Sequence, residues 1–363
     1  MKRLNLLLII LLVSLSLSSF AQKHPDFEIT KQCKTSEIKN QQRAGTCWSY
    51  ATLSFIESEM LRTNNKEFNL SEIYYARYAY ISKAIYYVQL HGLNNFSQGG
   101  QAHDVINEID KYGIVTEDAY TGLVGDNKMH NHEKLEKELK KYLDNIIDQK
   151  EIPENWLDGY TKILDESLGA VPTNFKYESK KYTPKSFQED VLAFNTDDYV
   201  ELTSYSHHPY YTTFDLEIPD NWSHDYYYNL PIDEFMQVID NAINNDYTVC
   251  WDGDVSEEKF DHKAGKCVLD EKDIKQMKKQ GVQEYRQYTF NNQTTTDDHL
   301  MHLTGTAQDK KGKKYYIIKN SWGNSNDFGG YLYMSQNFVE LKTVAIMVHK
   351  NAVPKEIREK LNF

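Results

Sequence analysis

A chain of 363 residues with a formal net charge of −12 is long enough for one large domain or two small ones. That acidity argues against nucleic acid and anionic membrane surfaces as partners, since both repel a negative protein. The 27 Tyr and 15 Phe supply apolar bulk for a sizeable core.

Met1-Lys2-Arg3 precedes an apolar run from Leu4 to about Leu12, and small residues lead to Ala21 before the polar Gln22. A basic start, a short apolar core and a small-residue cut site predict a secretory signal peptide over residues 1–21. The mature chain, residues 22–363, is then exported, either periplasmic or extracellular, and its charge becomes −14 on loss of Lys2 and Arg3. The apolar run is short for a bilayer, so no membrane anchor is expected. Export opens the cysteines to oxidation. With Cys47 set aside, Cys250 with Cys267 is the preferred pair and Cys33 is left over.

Residues 22–46 read mostly as loop. A helix is predicted from Cys47 to about Arg62, with Tyr50, Leu53, Phe55, Ile56 and Leu61 near one face. Cys47 falls in its first turn, where unpaired N–H groups and the helix dipole ease ionisation of a thiol. Ser71 looks like the cap of a second helix, Ile73 to Leu90. Gly92 to Gly100 is a loop, and Gln101 to Tyr112 is helical, closed by Gly113. Residues 132–149 and 153–168 read as helices with solvated charged faces.

From about residue 199 the pattern turns to strands: Tyr199–Tyr205, Asp215–Ile218, Tyr247–Trp251, His299–Ala307, Lys314–Lys319, Tyr331–Met334 and Val344–His349. Helices are expected from Pro231 to about Asn244 and after Pro354. The class is therefore α+β: a helical half over about 40–198, a β-rich half over about 199–353, a C-terminal helix at 354–363, and a cleft where the halves meet.

A thiol nucleophile needs a base to take its proton and a third group to orient the base. His299, on a strand, is the candidate base, and His302, pointing to the other face, reads as a packed histidine. Asn320 at the end of the next strand is placed to accept the ring N–H of His299, with Trp322 lying over that bond. His207-His208, His130 and His132 read as surface histidines; no spacing matches a zinc site, and neither metal nor cofactor is expected.

Gln41-x5-Cys47-Trp48, a strand histidine and Asn320-Ser321-Trp322-Gly323 together resemble the papain-like cysteine peptidases. The resemblance implies the papain-like two-part fold, with Cys47 as nucleophile, His299 as base and Asn320 as orienting group. The Gln41 side chain and the Cys47 N–H would form the oxyanion hole. Ala44 stands where the common signature has a Cys, and Cys47 and His299 are 252 residues apart. Ordinary relatives have roughly 130–150 between these positions.

Both departures fit the bleomycin hydrolase/aminopeptidase C branch. So do Gly99-Gly100-Gln101-x-x-Asp104, Val249-x-Trp251-x-Gly253-Asp254-Val255 and Gly330-Tyr331-Leu332-x-Met334. The branch implies peptide or protein substrates, aminopeptidase action, and Gly99, Gly100 and Trp322 as substrate-binding positions. Its members continue past the terminal helix and place their end in the cleft, whereas this sequence stops at Phe363. Endopeptidase cutting and non-catalytic peptide binding on the same fold therefore stand as alternatives, with a non-peptide acyl transfer as a third. No oligomeric state is inferred.

Overall fold

The computed structural model describes residues 24–363, so the expected signal peptide lies outside the described residues. After β1 (Phe27–Gln32) come α1 (Cys47–Asn64), α2 (Glu72–Gln89), α3 (Ala102–Tyr112), α4 (Glu133–Ile147) and α5 (Trp156–Leu168). A hairpin of β2 (Phe175–Tyr177) and β3 (Lys180–Tyr182) and a single turn, α6 (Pro184–Phe187), lead into the second part. There β4 (Tyr199–Thr203), β5 (Thr213–Asp215) and β6 (Tyr226–Asn229) precede α7 (Ile232–Asn244). Next come β7 (Val249–Gly253), β8 (Phe260–Asp261), β9 (Lys266–Cys267), α8 (Glu271–Gln280) and α9 (Val282–Asn291). The chain closes with β10 (His299–Asp309), β11 (Lys314–Lys319), β12 (Tyr331–Ser335), α10 (Gln336–Lys342), β13 (Thr343–His349) and α11 (Lys355–Leu361).

Local chemistry accounts for these boundaries. Ser71 Oγ accepts from the Tyr74 N–H at 3.3 Å and starts α2. Gly113, at φ 80°, ends α3 in a backbone region open mainly to glycine. Two expectations are corrected here. Residues 27–32 form a strand rather than loop, half-buried against β10, and the strand expected over 215–218 is β5 at Thr213–Asp215. Helix α8 was invisible because it is nearly all Lys, Glu, Asp and Gln and buries only Met277.

Among the described residues, eleven strands make one sheet in the order β5-β6-β4-β13-β7-β10-β11-β12-β9-β8, with β1 beside β10. Strand β10 is its spine. It pairs antiparallel with β7 over His299–Leu303, with β1 over Gly305–Asp309 and with β11 over His302–Gln308. At Gly305 a side chain would overlap the Lys31 carbonyl of β1, so glycine is required where the strands cross over.

Alternation along β10 divides the core. Leu300 joins Leu53, Phe55 and Ile56 of α1, while Met301 and Leu303 join Phe235 and Ile239 of α7. Helix α1 is thus enclosed between the helical half and the sheet. Every residue from Trp48 to Leu61 is buried, so the one-faced pattern expected for it is corrected to burial all round.

That burial includes two acids. Glu57 accepts from Lys39 Nζ at 2.9 Å, the Leu70 N–H at 2.8 Å and the Ser36 hydroxyl. Lys39 also bonds Glu72 at 2.5 Å and the Leu70 carbonyl at 2.9 Å. The buried Lys319 of β11 donates to Ser54 Oγ at 2.7 Å and Ser36 O at 2.9 Å, and His302 Nδ1 meets the same Ser54 Oγ at 2.9 Å. His302 is therefore a packed residue of the α1–sheet interface.

All four cysteines are free. The expected Cys250–Cys267 pairing is corrected by topology: β7 and β9 are separated by β10, β11 and β12. At roughly 4.8 Å per strand the gap is about 19 Å, far beyond the reach of a disulfide. His130 and His132, expected at the surface, are buried at 7% and 1% exposure. No helix of the described residues is long and apolar enough to cross a membrane.

Removing the Glu57 carboxylate leaves Lys39 with Glu72 as its one remaining carboxylate and strips the buried Ser36 hydroxyl and Leu70 N–H of their acceptor. Glu57→Ala is expected to cost about 3–5 kcal/mol in urea unfolding; a loss below about 1 kcal/mol would show the cluster to be dispensable.

Candidate active site

Cys47 occupies the first position of α1, with Thr46 as the N-cap residue. The Thr46 carbonyl accepts from Ser49 and Tyr50 at 3.0 and 3.2 Å, which fixes the turn. The sulfur lies beside β10, where the backbone of Leu300, the neighbour of His299, favours its thiolate form. Part of Cys47 remains accessible. Burial, reinforced by the Asp220, Asp297 and Asp252 carboxylates, nevertheless pushes the thiol up to about 12. The easier ionisation expected from the helix N-terminus is thus outweighed in the unliganded site.

His299, 4% exposed, stands at the start of β10 and meets Asn320 through Nε2–Oδ1 at 2.8 Å. The same Oδ1 accepts the Ser321 N–H at 2.7 Å, which identifies it as the oxygen end of the carboxamide. Nε2 therefore carries the proton and Nδ1 is the basic nitrogen. Burial lowers His299 to about 4, with the Asn320 bond opposing. The Trp322 ring leans against the imidazole, centroids 4.9 Å apart at 31°, and shields the bond on one side. His262, in the β8–β9 connection, meets Asn320 Nδ2 at 3.4 Å and packs on Trp322 with ring centroids 4.9 Å apart at 63°.

Gln41 is buried and pinned at both ends of its side chain. Its Nε2 donates to the Ala44 carbonyl at 2.8 Å and its Oε1 accepts from Ser321 Oγ at 2.6 Å. One hydrogen of the Gln41 amide remains for another acceptor. The backbone reinforces the link: Gln41 N–H donates to Ser321 O at 2.8 Å, and Gly323 N–H to Lys39 O at 3.0 Å. Asn320-Ser321-Trp322 thus organises two candidate groups at once.

Gly99 and Gly100 follow Gln98, whose carbonyl accepts from Trp48 Nε1 at 3.0 Å beside the start of α1. A side chain at Gly99 would overlap the Asp220 carboxylate, and at Gly100 a Cβ would stand 2.6 Å from Asp104 Oδ2 and 3.0 Å from the Trp48 ring. The Gly99 carbonyl is taken by Lys83 Nζ. A larger residue at either position would displace the Asp220 or Asp104 carboxylate.

No local pattern marks the acids gathered here. Asp220 and Asp297 are partly exposed, and Asp252 is buried. Burial and then Asp220 push Asp297 up to about 7, and burial with the facing Asp297 carboxyl holds Asp252 well above the usual carboxylate range. Asp297 Oδ2 also accepts from Gln101 Nε2 at 2.9 Å. His262, Asp220 and Asp252 reach the site only through tertiary packing, and Ser321, next to Asn320 in the chain, gains its part from the bond its Oγ makes to Gln41.

The sequence profile of the Peptidase C1-like family matches residues 10–363. Among curated relatives, Aminopeptidase W of Lactobacillus delbrueckii subsp. lactis is 25% identical, over 90% of this chain and 84% of its own. Aminopeptidase C of Lactococcus lactis subsp. cremoris is 23% identical, over 93% and 86%. The crystal structure of PepW from Lactobacillus rhamnosis HN001 superposes with a TM-score of 0.74 at 20% identity, covering 94% of this chain and 87% of that one. Fold and profile agree over nearly the whole chain, which belongs to the Peptidase C1-like family of papain-like cysteine peptidases.

Proposed function

We propose that the protein is an aminopeptidase in which Cys47 attacks the substrate carbonyl, His299 relays the proton and Asn320 holds the imidazole. The observation that carries this reading is the His299 Nε2–Asn320 Oδ1 bond of 2.8 Å, which leaves Nδ1 as the base. Burial keeps a lone Cys47 neutral and a lone His299 neutral. A thiolate is stabilised here only with an imidazolium beside it, so the proton passes from Sγ to Nδ1 as the carbon–sulfur bond forms. Nδ1–H then protonates the leaving amine, and water, deprotonated by the same nitrogen, hydrolyses the thioester. The spare N–H of Gln41 and the Cys47 N–H would receive the tetrahedral oxyanion.

Exopeptidase action is favoured by the charge beside the nucleophile. Asp220 and Asp297 put partly exposed carboxylates near Cys47, a setting suited to a substrate ammonium. The aminopeptidase names of the relatives agree with that preference. Endopeptidase action remains the alternative, since the same nucleophile and base would serve it. Export rests on the Met1–Ala21 sequence pattern alone.

His299→Ala is expected to slow iodoacetamide labelling of Cys47 near neutral pH by about 100-fold or more, because the thiol loses its proton acceptor; an unchanged rate would contradict the pairing. Asn320→Ala should retain more kcat than His299→Ala, since Trp322 still packs on the ring; equal losses would show that packing contributes no orientation. Gln41→Ala should lower kcat by about 10²–10³ with KM little altered, and a change confined to KM would remove Gln41 from the oxyanion hole. Offered one peptide with a free or an acetylated amino terminus, the enzyme should prefer the free form in kcat/KM; preference for the blocked form would establish endopeptidase action.

A further inference from the structure

Two histidines read from sequence as surface residues acquire a partner in the fold. Loop 206–208 after β4 and the segment after β5 bring His207, His208 and Glu217 together, one ligand atom from each lying within 4.8 Å of the others. The carboxylate divides between the rings: Oε2 meets His207 Nε2 at 2.9 Å and Oε1 meets His208 Nε2 at 2.7 Å. Both imidazoles thus present the same nitrogen to one point.

The rings are held in that pose. His208 stacks on Phe214, centroids 4.1 Å apart at 23°, and His207 lies against Phe290 at 5.7 Å and 25°. The Gln287 amide spans His207 Nδ1 with both ends, Nε2 at 3.0 Å and Oε1 at 3.2 Å. It serves either tautomer, including the one with Nδ1–H donating to Oε1 and Nε2 bare. That tautomer is the one a metal-bound imidazole needs, with its other nitrogen anchored.

We propose that His207, His208 and Glu217 bind one divalent transition-metal ion of the Zn²⁺ type. Bonds of about 2.0–2.2 Å in a tetrahedron put ligand atoms about 3.3 Å apart, and half-exposed side chains reach that spacing by small rotations. Two imidazoles and one carboxylate favour Zn²⁺, Ni²⁺ or Cu²⁺ over Mg²⁺ or Ca²⁺. Water fills the fourth position. Each Nε2 that takes up the ion must give up its N–H: that bond breaks and the proton is carried on Nδ1 or passes to solvent.

The ion has a structural consequence. Glu217 leads through Ile218 and Pro219 to Asp220, whose Oδ1 accepts from Asn95 Nδ2 at 3.1 Å and whose carboxylate stands against Gly99. The metal joins the 206–208 loop to this strap and steadies an acid of the cleft wall.

The test is calorimetric titration of the full chain carrying Cys47→Ala with Zn²⁺, repeated in His208→Ala, Glu217→Gln and the control His91→Ala. One saturable equivalent is expected, weakened about tenfold or more by His208→Ala and by Glu217→Gln and unchanged by His91→Ala. Co²⁺ in the same protein should give d–d bands without a thiolate charge-transfer band. Absence of saturable binding, equal affinity in the Glu217→Gln protein, or a thiolate band would overturn the site. Glu217→Gln preserves side-chain shape, so the test stands even if His208→Ala fails to fold.

Discussion

The bond between His299 and Asn320 depends on the register of β10 against β11. The last pair of that ladder at the cleft end is His302 with Lys319, which leaves His299 and Asn320 beyond it on adjacent strands. A slip of one residue would send either side chain to the opposite face. Register is secured by burial on both sides, with Leu300 and His302 against α1 and Met301 and Leu303 against α7. The sheet therefore sets the distance on which the proposed chemistry relies, and α1 delivers the sulfur from the other half.

Around this arrangement the protein buries charge in two different ways. Beneath α1, Glu57, Glu72 and Lys39 neutralise one another, and Lys319 reaches Ser36 and Ser54. In the cleft the acids outnumber their partners: the buried Lys83 faces Asp104 and Asp220, and His103 Nε2 stands 3.6 Å from Asp104 Oδ1. The first cluster supports the floor of the site. The second leaves negative potential beside Cys47, which discourages a free thiolate and attracts a cationic substrate group.

Much of this was legible in the sequence where a local rule and the tertiary structure coincide. The start of α1, the Ser71 cap, the Gly113 stop and the limits of β11 follow from capping and alternation. His299 and Asn320 were found because the chemistry demands a base and an orienting group near strand ends. What escaped has long-range causes. Ser321 reaches Gln41 across the cleft rim, and Asp220 arrives on a strap from a distant loop. The burial of His130 and His132, and the spacing that keeps Cys250 from Cys267, are set by packing and strand order.

Convergence of a reactive sulfur with its base, found only in the folded chain, is tested most directly by mass mapping after treatment with a peptidyl electrophile. The native protein is expected to take up one equivalent at Cys47, and the acid-denatured protein to lose that selectivity. Attachment at Cys33, Cys250 or Cys267 in the native state, or equal reaction at Cys47 before and after denaturation, would contradict it.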